Sequence, residues 1–102
     1  MKIVITTEKN SEIANLLAQK IIAKKLGACV QCIPNIQSTY FWQKEIVSES
    51  ECMLIIKTIE TKNKDLKKFI KDNHSYAVPE IVMIDADSLN EDYSNWLEIY
   101  LS

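Results

Sequence analysis

Two long β-forming stretches, residues 28–40 and 46–59, are joined by a short polar link, Gln43-Lys44-Glu45, and this pairing constrains the fold more than any other feature. Read as the arms of a hairpin, at roughly a dozen residues each and ~3.3 Å per residue, they span about 40 Å. A compact domain of about 100 residues has a radius of gyration of only about 13 Å. The tip, with Tyr40, Phe41 and Trp42, must therefore project beyond the body. There it is an aggregation hazard unless it packs on another subunit. Pro34 and Asn35 mark a bend or bulge in the first arm.

The flanking segments supply the body. Ile3-Val4-Ile5, closed by Thr6 and Thr7, reads as a first strand. Asn10 or Ser11 then caps a helix whose apolar positions are Ile13, Leu16, Leu17 and Ile21, with Lys24, Lys25 and Gly27 supplying the charge and the stop at its C-terminus. Thr61 is placed to cap a second helix with a stripe of Leu66, Phe69 and Ile70, ending near Asn73. Ile81 to Ile84 form a fourth strand after Pro79, and Asn90 caps a third helix presenting Tyr93, Trp96, Leu97 and Tyr100. With right-handed crossovers, this order predicts an α+β fold: one domain over residues 1–102, a ferredoxin-like split βαβ sandwich (βαββαβ plus a C-terminal helix) with helices over one face of a four-stranded antiparallel sheet.

Met53-Leu54-Ile55-Ile56 and Ile81-Val82-Met83-Ile84 are continuous apolar runs, whereas a sheet with one wet face alternates apolar and polar residues. Something must cover the second face, and self-association is the economical cover. Other partners are disfavoured by charge. Twelve Lys against fourteen Asp and Glu leave a net charge of -2, which gives no general reason to approach nucleic acid or an anionic membrane. The chain has no Arg, so the planar fork that grips phosphate in two bonds is missing. Met1 to Ile5 is too short for a signal peptide and no run reaches ~20 apolar residues, which predicts a cytoplasmic protein with its three Cys reduced.

Six blocks in register resemble one known family over essentially the whole chain: Ala28-Cys29-Val30, Ile33-Pro34-Asn35, Ser38-Thr39-Tyr40-Phe41-Trp42, Leu54-Ile55-Ile56-Lys57-Thr58, His74-Ser75-Tyr76-Ala77-Val78-Pro79-Glu80-Ile81 and Tyr93-x-x-Trp96. The family is CutA, the divalent-cation tolerance proteins. The resemblance implies a ferredoxin-like subunit in a tight homotrimer, hairpins lying across neighbouring subunits, and an association with tolerance of copper and other divalent metals. The trimer implied is also similar to that of PII signalling proteins, which bind small ligands in clefts between subunits. Departures accompany the matches. Lys44 stands where the family places Gly, Asn35 follows Pro34 in place of Gly, and Ser75 replaces a Pro. Some bacterial members with a proposed copper site carry Cys and His where this chain has Thr6 and Asn73, so that site does not carry over whole.

The candidate residues follow from chemistry and from the resemblance together. Cys29-Val30-Gln31-Cys32 has Cys-x-x-Cys spacing, but in a strand positions three apart face opposite ways and lie about 10 Å apart, too far to bridge. Small buried hydrophobes are the expectation for all three Cys. A soft metal favours thiolate and imidazole, which leaves His74 and Cys29 as candidate metal ligands; the alternative for His74 is to cap the last carbonyls of the second helix. Lys57, Tyr76 and Glu80, with Trp42, are candidates for an intersubunit cleft that takes a small polar ligand; the alternative for Lys57 and Glu80 is a structural ion pair. Lys62, Lys64, Lys67, Lys68 and Lys71 are interrupted by Asp65 and Asp72 and read as a solvated helix face. No catalytic constellation and no need for an organic cofactor emerge. The expectation is a homotrimeric protein of divalent-metal tolerance, binding a metal or acting as a scaffold, with a PII-like sensor of small metabolites as the alternative.

Overall fold

The strand β1 (Lys2–Glu8) is followed by helix α1 (Ser11–Ala23), the hairpin β2 (Cys29–Trp42) and β3 (Glu45–Thr58), helix α2 (Asn63–Asn73), strand β4 (Val82–Asp85) and helix α3 (Glu91–Leu101). A computed structural model describes residues 1–102. The sheet is antiparallel with order β2-β3-β1-β4, the split βαβ arrangement that the element order predicts.

Local chemistry explains the boundaries. The Asn10 side chain accepts a 2.9 Å hydrogen bond from the Ile13 N–H and so caps α1. The far end of α1 differs from expectation: Lys25, not Gly27, takes the left-handed conformation, with φ 56°. Leu26 N–H donates to the Ile21 carbonyl and Lys25 N–H to that of Ile22, the paired bonds of a Schellman ending. Gly27 serves packing instead. A Cβ there would lie 2.8 Å from Cγ2 of Ile56 and 3.1 Å from Cγ2 of Ile21. Thr61 makes no cap either, because a 3-10 turn over Glu60–Lys62 precedes α2 and the helix begins without a side-chain cap. At α3, Asn90 accepts from the Asp92 N–H as anticipated.

The core lies between α1, α2 and one face of the sheet. Val4, Leu54 and Ile56 point into it and meet Leu17, Ile21, Leu66 and Ile70. The third helix does not join that layer. Its Leu97 and Leu101 pack with Ala28, Ile59 and Met1 at the end of the sheet where β2 begins, and the Tyr100 hydroxyl donates to the Ile22 carbonyl. The opposite sheet face stays open: Ile33, Val82 and Ile84 are 44%, 46% and 46% exposed.

The hairpin projects as its length requires, giving the molecule extents of 46 × 27 × 22 Å. At its tip Phe41 and Ile46 are 70% and 78% exposed. Trp42 pairs with Glu45 across a two-residue loop in which Gln43 and Lys44 both have positive φ, 49° and 67°, as a type I′ turn demands. Midway along the arm, the register jumps between Ile33, opposite Met53, and Ile36, opposite Glu51. This is a bulge at Pro34-Asn35, with Asn35 at φ 56°. One extra residue in β2 inverts its alternation. Before the bulge Cys29, Gln31 and Ile33 share the open face; beyond it Ser38, Tyr40 and Trp42 do, level with Glu49, Val47 and Glu45.

Candidate functional site

That inversion builds the wall of a cleft of about 650 Å³. Ser38, Tyr40, Trp42, Glu49 and Glu51 of the hairpin line one side, with Thr7 at the end of β1. The segment after α2 supplies the other side through Tyr76, Val78 and Glu80. Wide enough for a small ligand, the cleft has three glutamates and three aromatic rings on its walls and no Lys.

The segment that forms the second wall is tied down by buried polar groups. His74 ends α2 and turns towards β1, where its Nε2 lies 2.6 Å from the Thr7 carbonyl oxygen. Its Nδ1 accepts a 2.9 Å bond from the Tyr76 N–H. A ring nitrogen facing a carbonyl must donate and one facing an N–H must accept, which fixes the neutral Nε2–H tautomer. Glu8 is fully buried beside it, accepting from the Ser75 and Lys9 N–H groups at 3.1 and 3.2 Å, and Glu8 Oε2 stands 3.7 Å from His74 Nδ1. The Tyr76 hydroxyl then donates to Glu51 Oε2 at 2.7 Å.

Glu51 is only 7% exposed. Burial by itself pushes its carboxyl up, but hydrogen bonds from Ser38, Tyr76 and Thr7 outweigh that and hold it below the usual glutamate value. It is therefore a buried carboxylate at neutral pH. Burial, reinforced by neighbouring carboxylates, raises the Tyr76 and Tyr40 phenols, so both remain protonated donors. The molecule's ion pairs join Lys2 to Glu60 and Asp85 and Lys68 to Asp72, besides the His74–Glu8 approach. None of them gives Glu51, Glu49 or Glu80 a cationic partner.

The residues singled out from sequence divide into three places. Trp42, Tyr76 and Glu80 line the cleft together. Within one copy Lys57 is not among them; its Nζ lies 5.5 Å from the ring centre of Tyr93, and the Lys57–Glu80 ion pair does not form. It sits opposite Cys29 and Ile3, four residues along β3 from the Met53–Thr7 pairing at the cleft's edge. Cys29 shares that remote position and does not approach His74. His74 has both ring nitrogens engaged and caps no helix carbonyl, a task taken by Asn73 Nδ2 on the Phe69 oxygen. Cys29 and Cys32 are half-buried on opposite faces, as strand geometry requires, and only Cys52 is fully buried. No group of three His, Cys, Asp or Glu side chains is placed to hold a metal ion.

Glu8, Glu49 and Glu51 escaped sequence reasoning. The available signal was the bulge: shifting the alternation of β2 by one residue at Asn35 aligns Ser38, Tyr40 and Trp42 with Glu49 and Glu51.

Comparison with known proteins places the whole chain. The family model for the CutA1 divalent ion tolerance protein matches residues 2–99. The divalent-cation tolerance protein CutA of Thermus thermophilus is 35% identical over 96 residues, covering 94% of this chain and 93% of that protein. Protein CutA 1, chloroplastic, of Oryza sativa subsp. japonica is 38% identical over 96 residues, or 94% of this chain; the chain spans about half of that relative's length, 54%. The crystal structure of CutA1 from Oryza sativa superposes with a TM-score of 0.96 at 37% identity, covering 99% of this chain and 93% of the other.

Proposed function

The chain belongs to the CutA1 divalent ion tolerance family, and from that premise we propose that it acts in the cytoplasm as a homotrimer in tolerance of copper and other divalent ions, as a binding or scaffold protein and not as an enzyme. The observation that carries the trimer is the open sheet face, where Ile33, Val82 and Ile84 stand half exposed beside an apolar projecting arm. Large contiguous apolar surfaces of this kind mark association sites. No helix is long and apolar enough to cross a membrane.

The metal half of the proposal meets a constraint in one copy. A ligand must offer a lone pair, and the only one on His74 is engaged by the Tyr76 N–H. Cys29 lies at the other end of the sheet. The residues of a single subunit therefore do not fit a His74–Cys29 copper site, and a metal bound by the protein would use groups from more than one copy or a rearranged His74. Titration with Cu(I) and Cu(II), following metal-dependent stabilisation, tests this. Equal stabilisation of wild type and His74→Ala removes His74 from any site, and no stabilisation of either leaves the scaffold role alone.

The cleft favours a second function, a PII-like sensor of a small metabolite. Its volume and its mixture of aromatic and hydrogen-bonding groups suit a small molecule. A ligand-dependent rise in melting temperature that disappears in Glu80→Ala supports it.

A further inference from the structure

We propose that Cys32 and Cys52 bind Cu(I), a soft monovalent cation, in linear coordination between two thiolates. The site rests on the metal-binding reading of the proposed function and gives it a residue pair. Both cysteines face the side of the sheet that α1 and α2 of the same copy cover. Cys52 belongs to the buried core with Leu17, Leu54, Leu66 and Ile70, and Cys32 packs against that core. The pair is therefore assembled within one subunit and uses no surface that a neighbouring copy would cover.

The bulge sets the two side by side. Cys32 pairs with Leu54 and so stands diagonal to Cys52 on the same face. Beyond Ile33, the extra residue at Pro34-Asn35 leaves Cys52 with no paired residue on β2. Burial first, and then the charge of Cys52 and a hydrogen bond with it, push the Cys32 thiol up, so the two sulfurs face each other. Thiols ionised side by side repel one another, and a cation between them removes that repulsion and holds both deprotonated.

Spacing and ligand chemistry select the occupant. Diagonal neighbours in an antiparallel sheet stand about 7–8 Å apart, past the span of about 4.4–6.8 Å that a disulfide bridges. With metal–sulfur bonds of about 2.3 Å, a linear sulfur–metal–sulfur unit puts about 4.6 Å between the sulfurs and suits the wider spacing. Thiolates select soft Cu(I), and two of them satisfy it. Zn(II) takes four ligands, and no third His, Cys, Asp or Glu side chain is placed to join the pair. The constraint met at His74 governs sites that need an imidazole, and this one needs none. Glu8, which pairs with Cys52 across β1 and β3, is already held by the Ser75 and Lys9 N–H groups.

The test uses the full chain in its native oligomeric state, reduced and under argon, with Cu(I) supplied as its coloured bicinchoninate complex. The expected result is one Cu(I) withdrawn per chain, with two sulfur neighbours in the copper X-ray absorption spectrum. Two thiol protons leave to solvent on binding, so below the thiol range affinity should rise about 100-fold per pH unit. Cys32→Ala and Cys52→Ala should each lower affinity by about 100-fold, while Cys29→Ala and His74→Ala keep it. If Cys52→Ala disturbs the core, Cys32→Ala and the sulfur count decide. Full affinity in Cys32→Ala, an equal loss in Cys29→Ala or His74→Ala, or nitrogen neighbours in the absorption spectrum overturns this pair while sparing metal binding by the protein. No transfer of copper to the wild type overturns the pair together with the Cu(I) part of the metal reading.

Discussion

The two faces of the sheet are made of similar residues and meet different fates. On one, Leu54 and Ile56 are fully buried under α1 and α2. On the other, Ile33, Val82 and Ile84 remain half exposed. Hydropathy alone does not separate them; the number of helices does. Two helices cover one face, and the third is spent on the sheet's end. Apolar content therefore reports how much surface needs a cover, while the count of covering elements tells whether the cover comes from within the chain.

The largest effect that sharpens this contrast is expected at Leu54. Leu54→Ala should cost about 2–5 kcal/mol of unfolding free energy, as for a fully buried leucine, at every protein concentration in urea titration. Ile84→Asp, on the open face, should leave the far-ultraviolet dichroism intact and instead shift sedimentation to a single subunit at micromolar concentration. A wild type that sediments as a well-folded single subunit would break the comparison outright. Gly27→Ala probes the covered face from its edge: the new methyl would press on Ile56 and Ile21, with an expected loss of about 1–3 kcal/mol.

The next effect is confined to acid. The Glu51 carboxyl is depressed in the folded protein, so its contribution is fully present above the unfolded value near 4.5 and is lost as pH falls through the folded one. Glu51→Gln should therefore flatten the acid limb of a stability–pH curve below about pH 4.5 and leave its alkaline limb unchanged. The smallest effect belongs to the tip. Lys44→Gly, at φ 67°, relieves a left-handed lysine and should gain about 1 kcal/mol or less.

The fold was legible because its signals are periodic and local. The caps at Asn10 and Asn90, the helical spacing of Leu17 and Ile21, and the hairpin turn needed no distant partner to be seen. The misplaced details, Lys25 for Gly27 and the missing Thr61 cap, are cases where packing overrode a local preference. The cleft was half legible. Trp42, from one sequence block, and Tyr76 and Glu80, from another, line it within one copy, whereas Lys57 lies four residues along β3 from its edge and was expected at a cleft shared between subunits. Glu51 stayed hidden because a carboxylate preceding an apolar run looks like a solvated strand residue until Tyr76 and Ser38 are brought against it.

The bulge at Asn35 makes the distal arm a two-sided card. Gln37, Thr39 and Phe41 are printed on the back of Ser38, Tyr40 and Trp42, and a single extra backbone unit decides which side is shown. Losing one codon there would turn the card over, replacing a phenol and an indole with a carboxamide and a phenyl group while editing none of them. An insertion or deletion at this spot is thus a change of lining, and it would leave the composition of the arm almost untouched.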